Sequence, residues 1–209
     1  SHTYKYTLNT SLSYSLVTDF FAQVTDAEGE NRSFIQARNI ANQEVINLGI
    51  SYPFNVKKWW SVFFSLNAFH SSFEAKEESF NAISQNTLSF YGQNSFTLPK
   101  GFQLEISGWY SSPSVWGGTY ETKSIGSLDA AVQKKFMKEK LSLRLAVSDI
   151  LFTSPWEGDT RFGNVFIRGN GGWESRQFRL NLSYNFGNSE VKASRKRNTG
   201  IEDENKRIE

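Results

Sequence analysis

The sequence predicts an all-β protein in which about eight long antiparallel strands, in meander order, form part of a transmembrane β-barrel. Three observations carry this. Apolar and polar residues alternate over long stretches, which places them on opposite faces of a strand. The polar face of these stretches is Ser, Asn, Gln and Thr rather than Lys and Glu. Aromatic residues make up 15 % of the chain, with 18 phenylalanines, and they gather at the two ends of the stretches.

The clearest stretch is Trp173 to Phe186. Phe178, Leu180, Leu182, Tyr184 and Phe186 share one parity, and Ser175, Gln177, Arg179, Asn181, Ser183 and Asn185 the other. It closes on the aromatic pair Tyr184 and Phe186, which is read as a C-terminal strand signal for lipid and for a barrel assembly machinery. The first strand sets Leu8, Thr10, Leu12, Tyr14 and Leu16 against Asn9, Ser11, Ser13 and Ser15, and is expected to run on through Phe20, Ala22 and Val24. Asp26–Arg32, around Gly29, reads as a loop. The second strand covers roughly 33–52, clearest at Ile46, Leu48, Ile50 and Tyr52, and Pro53-Phe54-Asn55 is expected to begin a turn. The third sets Trp60, Val62, Phe64, Leu66 and Ala68 against Ser61, Phe63, Ser65 and Asn67, and ends at a charged loop, Glu74–Ser79.

The fourth strand carries Leu88, Phe90, Gly92, Phe96 and Leu98, and Pro99-Lys100-Gly101 is a tight turn because Pro pre-sets φ and Gly allows the reversal. The fifth carries Phe102, Leu104, Ile106, Gly108 and Tyr110. A Ser/Pro/Gly segment, Ser111–Thr119, leads to the sixth, with Leu128, Ala130, Val132 and Phe136. Lys138-Glu139 turns the chain into the seventh, with Leu141, Leu143, Leu145 and Val147. Thr153–Gly172 reads as a long Gly- and aromatic-rich connection with irregular strand around 165–168. The division expected is 1–187 for the barrel strands and 188–209 for a charged periplasmic tail. Residues 187–209 hold 11 of the 44 charged residues, so the strand body is charge-poor.

Alternation alone does not say which face meets lipid, since a lipocalin-type barrel buries its apolar face inside. The polar face favours the inverted arrangement. A water-exposed exterior is rich in Lys and Glu, yet 8–16, 45–52, 60–69 and 86–98 contain no charged residue. The aromatics agree. With the last strand ending on the periplasmic side, the turns at 53–58, 99–101 and 137–140 are periplasmic. Beside them lie Tyr52, Phe54, Trp59, Trp60, Phe96, Phe102, Phe136, Tyr184 and Phe186. At the opposite ends lie Phe20, Phe21, Phe69, Phe73, Trp109, Tyr110, Trp116, Phe152 and Trp173. These read as two girdles flanking an apolar band, with short turns on one side and longer loops on the other. A mean hydropathy of −0.48 does not oppose this, because a barrel carries its lipid-facing residues at every second position.

Net charge is +2, so nothing points to nucleic acid. The absence of cysteine excludes a disulfide scaffold and thiolate-ligated metal. No apolar run approaches the ~20 residues of a membrane helix. The chain begins at Ser1 and its single methionine is Met137. It shows no signal peptide, so a processed form or a piece of a longer chain is expected. The only histidines are His2 and His70, no Ser–His–acid set has support, and Gly169–Gly172 precedes a strand rather than a helix. No catalytic, cofactor or metal site is therefore expected, and the chain is not read as an enzyme.

Four charges fall on the polar parity of the later strands: Glu105, Asp129, Arg144 and Arg179. They read as lumen charges a few residues above the periplasmic ends, pairing across strands or touching a plug. Asp149 breaks the alternation, as a bulge or an exit from the membrane near Ser148 would require. Trp116, Trp156 and Phe162 are loop aromatics that either contact ligand or pack among themselves. Lys192, Arg195, Lys196 and Arg197 read as part of a solvated tail of mixed charge, with contact to headgroups or a periplasmic partner as the alternative.

Several ordered runs resemble the C-terminal part of TonB-dependent receptor-type outer-membrane proteins. They are Trp109-Tyr110-Ser111-Ser112-Pro113, Leu128–Phe136, Leu141–Phe152 ending Ser148-Asp149-Ile150-Leu151-Phe152, Glu174-Ser175-Arg176 leading to Leu182–Asn188, and the tail Arg195–Glu204. The resemblance implies location in the bacterial outer membrane. It implies a barrel of about twenty-two strands around an N-terminal plug, driven by an inner-membrane energy complex, for uptake of a large nutrient. Neither a plug nor a TonB box is legible here, so the chain would supply the last third of such a barrel. An unclosed sheet, completed by upstream strands and a plug, is then expected. The alternative is a self-contained eight-stranded barrel, either an outer-membrane adhesin or a lipocalin-like binding module.

Overall fold

The computed structural model describes residues 8–28, 32–76, 82–162 and 165–186. Its elements are β1 (Asn9–Glu28), β2 (Arg32–Lys57), β3 (Trp60–Ala75), β4 (Ile83–Leu98), β5 (Phe102–Ser111), β6 (Ser114–Trp116), β7 (Tyr120–Thr122), β8 (Ile125–Phe136), β9 (Leu141–Ser148), β10 (Trp156–Phe162), β11 (Val165–Gly171) and β12 (Gln177–Tyr184). Eight of them form one antiparallel sheet in the order β1-β2-β3-β4-β5-β8-β9-β12, which is a meander apart from two outer excursions. The expected eight strands are these eight. The tail, 188–209, lies outside the described residues.

Register follows from the alternation. Leu12 faces Leu48, Leu48 faces Ala68, and Ala68 faces Leu88. Leu104 faces Val132, Val132 faces Leu145, and Leu145 faces Leu180. A slip of one residue would move every such row to the other face. The apolar row stays uncovered: Leu12, Leu88, Leu145, Leu180 and Leu182 are all exposed. A sheet that leaves its apolar face bare in this way needs a non-aqueous surface to cover it.

Among the described residues β1 and β12 are the two edges and do not pair with each other. The expected open sheet is what the described residues form. The edge of β1 is open at Asn9–Leu16 but is met further out, where the Gln23 amide donates to the Gly117 carbonyl at 2.8 Å and the Thr119 hydroxyl donates to the Gln23 carbonyl.

Several expectations need correction. Asp26–Arg32 is not all loop, since β1 runs to Glu28 and β2 begins at Arg32. Pro53-Phe54-Asn55 does not begin a turn. β2 runs on to Lys57, with Pro53 opposite Phe63 and Phe54 opposite Val62, and the chain reverses at Lys58-Trp59. Proline is tolerated there because the described β1–β2 ladder has already ended at Asn9 and Ser51. β1 does run on through Phe20, Ala22 and Val24, but these residues do not continue the apolar face of Leu8–Leu16. The β1–β2 register shifts between Val17 and Phe20 and again between Phe20 and Phe21, one extra residue on each strand. Each bulge inverts the parity of its strand. Beyond it Phe21 and Ile35 are exposed on the outside, while Ala22 and Val24 are buried on the polar-face side.

The remaining strands form a second sheet, β11-β10-β7-β6. Ser111–Thr119 and Thr153–Gly172 are thus more than connections. Glu121 pairs with Asp159 and with Val115, and Asp159 with Arg168. This sheet lies over the outer end of the polar face, where Ala22, Val24, Ala41, Phe73 and Phe162 form a buried cluster flanked by Phe20 and Val115.

Candidate functional site at the outer end of the sheet

Connecting segments held on a rigid sheet are where binding residues concentrate, and here the outer connections have a folded structure of their own. Phe73 is the anchor. It lies on the parity of Ser65 and Asn67, is 2 % exposed, and packs on the Phe20 ring at 5.2 Å between centroids. Gly118 fits against it: its φ is +81°, and a Cβ there would sit 2.9 Å from the Phe20 ring and 3.2 Å from Ala22. Phe20 and Phe73 therefore belong to this inner cluster and not to an outer lipid girdle.

Within the small sheet the Tyr120 hydroxyl lies between the Gly158 and Gly169 carbonyls, at 3.0 and 3.1 Å, with Trp156 edge-on at 5.9 Å. Burial pushes the Tyr120 phenol above its ordinary value, and Asp159 and Glu157 add to the effect. Three ion pairs tie the outer segments together: Lys76 with Asp19, Lys123 with Glu157, and Arg168 with Asp159. Of the three loop aromatics read as candidates, Phe162 is buried in the cluster with the Arg38 guanidinium 5.9 Å from its ring. Trp156 packs on Tyr120, whereas Trp116 remains exposed.

A second centre forms where β9 leaves the sheet. Asp149 adopts φ 47°, ends β9, and is 1 % exposed, which is the exit near Ser148 that its parity required. Its carboxylate accepts from the Thr153 amide (2.9 Å), the Ser154 amide (3.2 Å) and the Ser175 hydroxyl (2.6 Å). Its own amide donates to Asp129 Oδ1 at 2.7 Å, and its carbonyl accepts from Arg176 Nε at 3.3 Å. Burial acts to raise the carboxyl pKa, but the bonds from Ser175, Thr153 and Ser154 outweigh it and hold the group below its ordinary value of 3.8. One charged side chain thus ties the β9–β10 connection to the segment that enters β12. Sequence reasoning flagged Asp149 by parity but not its partners, because the donors lie up to 27 residues away.

The four polar-face charges do not form one set. Glu105 and Arg144 meet at 3.2 Å, reaching across β8 over Ala131, which is small enough to lie beneath them and is itself buried. Asp129 and Arg179 are not near the short-turn ends. Asp129 holds the outer turn through the Asp149 amide and accepts from the Ser127 hydroxyl at 2.8 Å. Arg179 faces Ala146, two positions from the start of β12, and both its Nε and Nη2 donate to Gln177 Oε1, at 3.1 and 2.6 Å. His70 lies between Asn86 and Ser84, at 2.8 and 3.2 Å, and no group of three or more potential metal ligands occurs among the described residues.

At the other end of the strands the rings gather where the girdle was expected. Trp59, Trp60 and Phe96 lie within 6.2 Å of one another, Tyr52 stacks on Phe54 at 5.4 Å, and Tyr184 meets Phe186 at 4.6 Å. A polar, ion-paired inner face, a bare apolar outer face and an aromatic belt define a membrane-spanning β-sheet. Residues 1–184 match the outer membrane protein beta-barrel family, and the chain belongs to it. That places it in the bacterial outer membrane. No curated protein and no solved structure matches the chain.

Proposed function

We propose that these eight strands are one sector of a larger closed barrel, that of a TonB-dependent receptor taking up a large nutrient ligand. The observation that carries the reading is the pair of unmatched edges at membrane level. Asn9–Leu16 and Gln177–Tyr184 each lack a second neighbour among the described residues, and an open edge in a bilayer leaves backbone groups without partners. A barrel of many strands curves less than a small one, which suits a sheet of eight that does not meet itself. The outer sheet, with its own apolar cluster, supplies a folded surface over the mouth on which a ligand can be held.

Disulfide trapping in the product of the whole gene tests the sector reading. The pairs Ser13→Cys with Asn47→Cys and Ser142→Cys with Ser183→Cys sit opposite each other and should both oxidise. Ser13→Cys with Asn181→Cys, one on each edge, should stay reduced in a monomer. A bond between the edges would establish the self-contained eight-stranded barrel, with adhesion or small-ligand binding as its role. The transport part requires that the whole-gene product bind the periplasmic domain of a TonB-type coupler; no binding would remove it.

A further inference from the structure

The short turns are predominantly basic. Lys57 and Lys58 lie at the β2–β3 turn, Lys100 at the β4–β5 turn, and Lys134, Lys135, Lys138 and Lys140 at the β8–β9 turn, against Glu139 alone. Lys135 reaches Glu139 at 3.5 Å. Lys58, Lys100, Lys138 and Lys140 are exposed and have no acidic partner among the described residues. Lys100 and Lys138 are held in left-handed conformations, at φ 61° and 54°, in turns only a few residues long. The outer end is different, since its lysines and arginines are interleaved with acids and three of them are paired.

The aromatic belt sets the depth of these lysines. The Lys134 ammonium lies 4.4 Å from the centre of the Phe102 ring and 4.9 Å from that of Phe136, and the Lys57 ammonium lies 5.8 Å from Trp59. Rings of this kind sit at headgroup level, and a lysine stem lies along apolar surface while its ammonium stays in the polar layer. The unpaired ammonium groups one turn further on then lie in the plane of the lipid phosphates.

We propose that this rim binds the headgroups of anionic phospholipids in the periplasmic leaflet, with Lys58, Lys100, Lys138 and Lys140 as the headgroup contacts and Lys134 and Lys57 as the anchors that fix their height. Like charges at this density repel one another, a negative surface relieves that repulsion, and each lysine near an anionic leaflet favours it by about fivefold. The inference rests on the sheet's crossing the outer membrane.

The test is spin-labelled lipid in bilayers of zwitterionic phosphatidylcholine that contain the whole-gene product. The motionally restricted fraction should be larger for phosphatidylglycerol than for phosphatidylcholine, by about fivefold in association constant. The preference should collapse in 1 M salt, where screening acts within about 3 Å. It should also collapse in a K58Q/K100Q/K138Q/K140Q variant, and persist in a K123Q/R168Q variant altered only at the outer end. A restricted fraction with no headgroup preference, or a preference unchanged in the quadruple variant, would overturn the proposal while leaving the barrel intact. Lysine-dependent binding to cell-wall sacculi without lipid preference would also overturn it. No restricted fraction at all would overturn the membrane-spanning sheet itself.

Discussion

The two ends of the sheet solve opposite problems with the same strands. At the short-turn end the chain reverses in a few residues, rings from neighbouring strands stack on each other, and hardly anything is buried. At the outer end the strands outlast the membrane. β1 has 20 residues and β2 has 26, against the roughly 9–11 that a tilted membrane strand needs. The surplus is paired, its parity is inverted by two bulges, and a second sheet packs on it. The buried apolar cluster of the described residues is here, outside the membrane-level strands. A membrane-level strand has its apolar partner in lipid and needs no protein core. An extension into water has no such partner and must supply one.

The comparison breaks most visibly at Phe73. Phe73→Ala should destabilise the outer sheet by about 3–5 kcal/mol, the usual cost of emptying a packed phenylalanine site. Limited proteolysis should then cut between 112 and 124 while the membrane-level strands still assemble. Loss of the whole barrel would mean that the two ends are not independent.

The next largest effect tests the face assignment at mid-membrane. Leu66→Arg should cost about 2–4 kcal/mol on the lipid side, whereas Asn67→Arg, one residue on, should be nearly neutral. Chemical unfolding in lipid vesicles measures both. Equal costs would remove the distinction between the faces.

Asp149 sharpens the account of the outer end. Asp149→Ala leaves the Thr153 and Ser154 amides and the Ser175 hydroxyl without their acceptor, at about 1–3 kcal/mol for a buried unsatisfied group. Because the folded carboxyl lies below its unfolded value, its contribution is present above pH 3.8 and is lost as pH falls through the lower, folded value. Hydrogen exchange at 149–154 should accelerate in that acid window, and the acceleration should vanish in D149N. The smallest effect belongs to Glu105 and Arg144. Both side chains are about a third exposed, so a double-mutant cycle should give a coupling under about 1 kcal/mol.

The eight membrane-level strands were legible because lipid on one side and a polar interior on the other impose a period of two, as in Phe178–Phe186. The small sheet was not. Ser114–Trp116 and Tyr120–Thr122 are three residues each, too short for a period to show, and β7 pairs with β10 at positions such as Thr122 and Gly158, far apart in sequence. Phe20 was placed in a girdle because a ring near a strand end does not show which way a bulge has turned it, whereas Phe73 already sat on the polar parity of Ser65 and Asn67 and was grouped by its position near the strand end alone. Asp149 announced itself by breaking parity, whereas Asp129 and Arg179 sat on the expected parity and gave no hint of lying nearer the outer end.

The central claim is that the apolar row faces lipid and the polar row faces the interior. Spin labels at Leu66, Leu145 and Leu182, and at Asn67, Arg144 and Ser183, test it in bilayers of the whole-gene product. Oxygen, which partitions into the hydrocarbon, should broaden the first three more strongly, and a water-soluble nickel chelate should broaden the second three. The reverse pattern would put the apolar face inside a water-soluble barrel and contradict the account.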